Sequence, residues 1–220
     1  MWHDADTWQE LYGILRLPFG TFAGGALMIA QIAGGILLVI PRTVRVASIV
    51  LSIVYALFSL ASIPGIVSHP KVFGEYDGFF EQFCLLCGAF AAFAATEKDT
   101  ARAGNLRVFS RIGLGLCTIS FTLAQVVYLR MTADLVPAWI PPNQMFWAIV
   151  TTIAFGLAAV AILINRYALP AMRLMGLMIV LFGVLVWVPH VIAQPQAHGN
   201  WSEFAINFLI AGATWVIAGL

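Results

Sequence analysis

Seven apolar stretches, at about residues 19–40, 46–66, 79–96, 108–129, 145–165, 171–193 and 203–220, constrain this chain more than anything else in it. A helix needs roughly 20 mostly apolar residues to cross a hydrocarbon core of about 30 Å, and in lipid it must satisfy every backbone group internally. Each stretch meets that need, the third being the shortest. Only Pro41 to Arg45 separate the first two, and residues 165–170 the fifth and sixth, so both pairs read as tight antiparallel hairpins. Composition closes the soluble alternative: 61% of the 220 residues are hydrophobic, 10% are charged, and the mean hydropathy is +0.94. The expected fold is an all-α polytopic transmembrane bundle of about seven spans, with the lipid bilayer as its first partner. The 11 basic and 10 acidic residues nearly cancel, so nothing points to nucleic acid.

The position of the charges sets the expected orientation. Arg42, Arg45, Lys98, Arg102, Arg107, Arg111, Arg166 and Arg173 flank the first, third and fifth loops, which share one side; the other side has Arg16, Lys71 and Arg130. The positive-inside rule then puts the N-terminus outside and the C-terminus inside. Most acids, including Glu75, Asp77, Glu81, Asp134 and Glu203, fall on or near the outer side, as do His3, His69, His190 and His198. The opening MWHDADTWQE is acidic and aromatic, unlike a secretory signal. Residues 1–18 read as an outer-face segment, with 7–18 spaced for an amphipathic helix on the membrane surface. A frayed start to the first span is the equal alternative.

Internal repetition is visible at a spacing of 125 residues. IVLSIVYALFSLASIPGIVSHP, ending at Pro70, pairs with GLMIVLFGVLVWVPHVIAQP, ending at Pro195, and Pro64 pairs with Pro189. Each is followed by a polar loop, a Glu and a last apolar helix, and preceded by a Gly- and Ala-rich helix ending in Arg. From about residue 108, SRIGLGL, LVPAWIPPNQMFW, FGLAAVAILINRYALPAMRLMGLMIVLFGVLVWVPHV and NWSEFAINFLIAGA follow in an order that resembles the four-helix unit of the DoxX-like membrane proteins. The resemblance implies a three-span unit at 19–100 lacking its first helix, and a four-span unit at 101–220. It further implies a bacterial or archaeal inner-membrane protein associated with redox systems, without a catalytic residue to carry over.

Among the residues themselves, Cys84 and Cys87 form a C-x-x-C on one helical face, expected in the first turns of the third span. There the helix dipole would favour a thiolate facing an oxidising compartment. The plainer alternative is that cysteine packs as a small apolar side chain. Cys117 is expected toward the inner half of the fourth span, away from this pair. His190, after Pro189, and Glu203, at the start of the last helix, are candidates for a quinone headgroup; the alternative is an interfacial histidine and a helix-starting carboxylate. No metal site is expected, since the cysteines have no third ligand near them in sequence, and no haem, since no histidine falls mid-span. Gln31, Tyr55, Gln125 and Asn207 are expected to bond across helices.

Three functions compete on this reading. The favoured one is a non-catalytic subunit or anchor of a quinone-linked redox complex, docking other membrane or periplasmic subunits at its outer face. The second is a small quinone-dependent thiol or sulfur oxidoreductase using Cys84 and Cys87 or the region of His190 and Glu203. The third is a small-solute transporter, disfavoured because no Asp, Glu, Lys or Arg falls in the middle of a span.

Overall fold

The computed structural model describes residues 20–219, and the amphipathic segment at 7–18, with His3, lies outside them. Seven helices are long and apolar enough to cross a membrane. They are α1 (Gly20–Leu38), α2 (Val44–Ser68), α3 (Gly74–Ala94), α4 (Thr100–Val127), α6 (Gln144–Leu163), the run Ala168–Ala193, and α9 (His198–Ala218). The run Ala168–Ala193 comprises α7 (Ala168–Phe182), one π turn (Gly183–Trp187) and α8 (Val188–Ala193). A short α5 (Leu129–Leu135) links α4 to the loop before α6. No strand occurs among the described residues. The chain is a multi-pass integral membrane protein, as its composition requires.

Span boundaries follow from local chemistry. Asp99 caps α4, its carboxylate accepting from the backbone N–H groups of Ala101 (2.9 Å) and Arg102 (3.1 Å), and Asn143 caps α6 through the Phe146 N–H (2.8 Å). Asn165, at φ 55°, ends α6 in the left-handed conformation that asparagine tolerates, and the Arg166 N–H reaches back to the Ala161 carbonyl (3.1 Å). The third span starts earlier than hydropathy suggests, at Gly74, because Glu75, Asp77 and Glu81 are helical. Acids in a first turn suit the macrodipole, which an apolar count cannot register.

The 125-residue spacing recurs in the fold. Helices at 20–38, 44–68 and 74–94 have counterparts at 144–163, 168–193 and 198–218. After the first proline helix, backbone N–H groups of His69, Val72 and Glu75 bond the carbonyls of Gly65, His69 and Val72 (2.8, 2.9 and 3.2 Å). After the second, those of Gln194, Ala197 and Asn200 bond His190, Gln194 and Ala197 (2.9, 3.1 and 3.1 Å). Tyr76 Oη donates to the Pro70 carbonyl (3.1 Å) as Trp201 Nε1 does to that of Pro195 (3.0 Å). At the middle of the molecule α3 packs on α9, and Gly88 meets Ala213, its own counterpart. A Cβ on Gly88 would come within 2.6 Å of the Ala213 Cβ and 3.0 Å of its Cα, so only glycine permits the approach.

The surroundings of the counterpart helices differ. α6 is gripped by α4, through Phe121 on Phe155 and through Gln125 Oε1, which accepts from Thr152 (3.0 Å) and Thr151 (3.4 Å). α1 leans on α2, where Gly34 admits Leu51 and Gln31 Nε2 donates to Tyr55 Oη (3.5 Å). Only 11% of the apolar window of α1 is buried, against at least 33% in each other span. Gln31, Tyr55 and Gln125 thus bond across helices; Asn207 instead donates within its own helix, to the Glu203 carbonyl (2.9 Å), because that carbonyl lies one turn away.

Candidate functional site

Two features merit attention as sites: a buried cluster of thiols and a cavity at the end of the bundle opposite the basic loops. Cys84 and Cys87 lie about ten residues into α3, mid-helix, and not in its first turns as expected from sequence. The dipole contribution falls off within the first turn, so it does not reach them. Cys117 is not set apart toward the inner half of its helix: antiparallel packing of α3 on α4 brings its thiol beside that of Cys84. One turn earlier on α4, Gly113 lies directly against Cys87 Sγ. All three cysteines are free and completely buried. Such burial suits a packing role, since thiol exchange needs access for an attacking group.

The cavity is an open recess of about 230 Å³ walled by α5, the loop that follows it, and the π-turn region. Its polar groups are Asp134, Gln144 and His190; Leu135, Trp139, Leu185 and Pro189 supply apolar surface. The loop wall is fixed by Gln144 Nε2 donating to the Val136 carbonyl (2.6 Å) and by Trp147 Nε1 donating to that of Pro141 (2.8 Å). Trp139 is 74% exposed at the rim.

The other wall depends on Pro189. Proline has no N–H and its ring crowds the carbonyl four residues back, so an α-helix cannot pass through it undisturbed. Here the turn before it widens, and the Val188 N–H bonds the Gly183 carbonyl five residues earlier. Gly183 gives Phe208 room that a Cβ would occupy. Past the widened turn, His190 Nδ1 sits 2.7 Å from the Val186 carbonyl. A carbonyl only accepts, so Nδ1 carries a proton, and in the tautomer this fixes Nε2 is the ring nitrogen that faces away from the bond as an acceptor.

His190 and Asp134 both line this cavity, and Glu203 is not among its lining residues. Glu203 is half-buried in the second turn of α9, which begins at His198 and not at 203. Asp134 and Gln144 were missed as site residues because they lie some fifty residues before His190, and only the packing of α5 and α6 against the π turn unites them. At the same end, in the first half, His69 Nδ1 lies 3.9 Å from Glu75. Among the described residues no group of three His, Cys, Asp or Glu side chains is placed to hold a metal.

No family model matches this chain, and neither a curated protein nor a solved structure matches it.

Proposed function

We propose that this chain is the membrane subunit of a quinone-linked redox complex, built from two DoxX-like units in tandem and seated in a bacterial inner membrane. Its basic end faces the cytoplasm and its partners dock at the opposite end. The observation that carries this reading is the His190 cavity. It joins an apolar wall to the converging polar groups of Asp134, Gln144 and His190, a combination that suits the headgroup of a lipid-soluble molecule, and it opens at the interface where such a headgroup resides.

Nε2 of His190 would accept a hydrogen bond from a quinol hydroxyl. Oxidation of the quinol releases two protons and two electrons; Asp134 and His190 are the local proton acceptors, and the electrons pass to a redox centre on the docked partner. The tandem units are supported by the hydrogen bonds that recur at 125 residues and by the meeting of Gly88 with Ala213. The uncovered face of α1, at the place where α6 is gripped by α4, supports a subunit that packs against a neighbour.

A short-chain quinone titrated into the purified protein tests the reading, with tryptophan fluorescence as the signal. Quenching is expected to saturate, to shrink in Trp139→Phe, and to need about five- to tenfold more quinone in His190→Ala, for the loss of one hydrogen bond worth about 1 kcal/mol or slightly more. Unsaturating quenching, indifferent to both substitutions, is mere partitioning into detergent and would sink the proposal.

A further inference from the structure

A second cavity, of about 270 Å³, opens at the basic end between α4, the turn joining α6 to α7, and the end of α9. Arg107 and Arg111 line it one turn apart on α4, and among the described residues no acidic one does. Asn165 stands in the turn, and Leu169, Met172 and Ile217 form an apolar wall. The two arginines have different employment. Arg111 is half-buried and donates through Nη1 to the carbonyls of Ile162 and Leu163, closing the C-terminus of α6. Arg107 is exposed and forms no ion pair or hydrogen bond among the described residues. Ala168 and Leu169, also in the lining, begin α7, whose N-cap Tyr167 makes no side-chain cap, so the positive end of that helix adds to the field.

We infer that this cavity binds the phosphate of an anionic phospholipid headgroup, with Arg107 as the principal contact, Arg111 and Asn165 beside it, and the upper acyl chain along Leu169, Met172 and Ile217. A soluble phosphate shares the charge but has no use for the apolar wall. Basic recesses between spans are suited to acidic lipid headgroups.

Native mass spectrometry of the full chain, titrated with phosphatidylglycerol, with phosphatidylcholine of the same acyl chains, or with inorganic phosphate, tests this. Phosphatidylglycerol is expected to be retained preferentially, with Arg107→Gln lowering retention about fivefold and Arg107→Glu abolishing the preference. Arg42→Gln, a charge removed from the same end but outside the cavity, should leave it unchanged. Melting temperatures of the variants verify folding, and among the described residues Arg107 has no ion-pair or hydrogen-bond partner whose loss would unfold the chain. Equal retention of the two lipids, an equal loss in Arg42→Gln, or displacement of the lipid by millimolar inorganic phosphate would each overturn the inference.

Discussion

α1 and α6 occupy corresponding places 125 residues apart, yet they end differently, and the difference separates what a helix can do for itself from what a neighbour must do for it. The last carbonyls of α1 are served locally: Thr43 Oγ1 donates to the Leu37 carbonyl (2.7 Å). The counterpart carbonyl, that of Ile162, receives the guanidinium of Arg111 from α4, a different span. One helix is finished within its own hairpin and presents most of its surface outward; the other is locked into a packed unit by a charged group.

The contrast predicts unequal mutational costs. Gly88→Val should be the most damaging, because the added atoms meet backbone at the contact of α3 with α9; a loss of about 3 kcal/mol is expected from overpacking. Gly25→Val in α1, where nothing lies within 4 Å, should leave thermal unfolding in detergent nearly unchanged. Comparable losses in the two variants would remove the distinction between a packed centre and an open first helix.

Next in size is the cap. Arg111→Gln should cost about 1.5–3 kcal/mol, as charge-assisted bonds to partly buried carbonyls do, whereas Thr43→Ala should cost about 0.5–1.5. Denaturation midpoints measured side by side would sharpen the comparison, and a reversed order would break it.

The smallest effect is expected where the two ends of the first hairpins meet. Glu97, 8% exposed, bonds Arg45 (3.2 Å) and lies 3.8 Å from Arg102. Desolvation pulls its carboxyl upward, but the backbone N–H groups of Asp99 and Lys98 and the Arg45 guanidinium together hold it below the ordinary 4.5. A lowered folded-state value means that the stabilisation is complete above pH 4.5 and fades as pH falls through the lowered value. Melting temperature should therefore drop on acidification below that point, and Glu97→Gln should lower it slightly at neutral pH, where that stabilisation is lost, while flattening the acid part of the profile.

How much of this was legible beforehand depended on whether the signal was local. Seven spans, the hairpin turns and the 125-residue spacing rest on composition and on punctuating prolines, and they could be read along the chain. The start of α3 could not, because Asp77 and Glu81 look like loop residues to a hydropathy count although a helix accommodates them in its first turns. Pro64 and Pro189 look alike in sequence, but α2 continues as an α-helix to Ser68 while a π turn precedes Pro189. The widened turn begins at Gly183, which lies against Phe208, a residue of another span. Likewise Cys117 joins Cys84, and Asp134 joins His190, only through helix packing, which leaves no trace in spacing.

The central claim, a membrane subunit whose first helix is covered by a neighbour, is tested most directly by isolating the protein from its native membrane in mild detergent and measuring the mass of the intact assembly. The account predicts a complex heavier than the 23.9 kDa chain, containing a second polypeptide that carries a redox centre. A single species of 23.9 kDa, with no other polypeptide across several detergents, would contradict it.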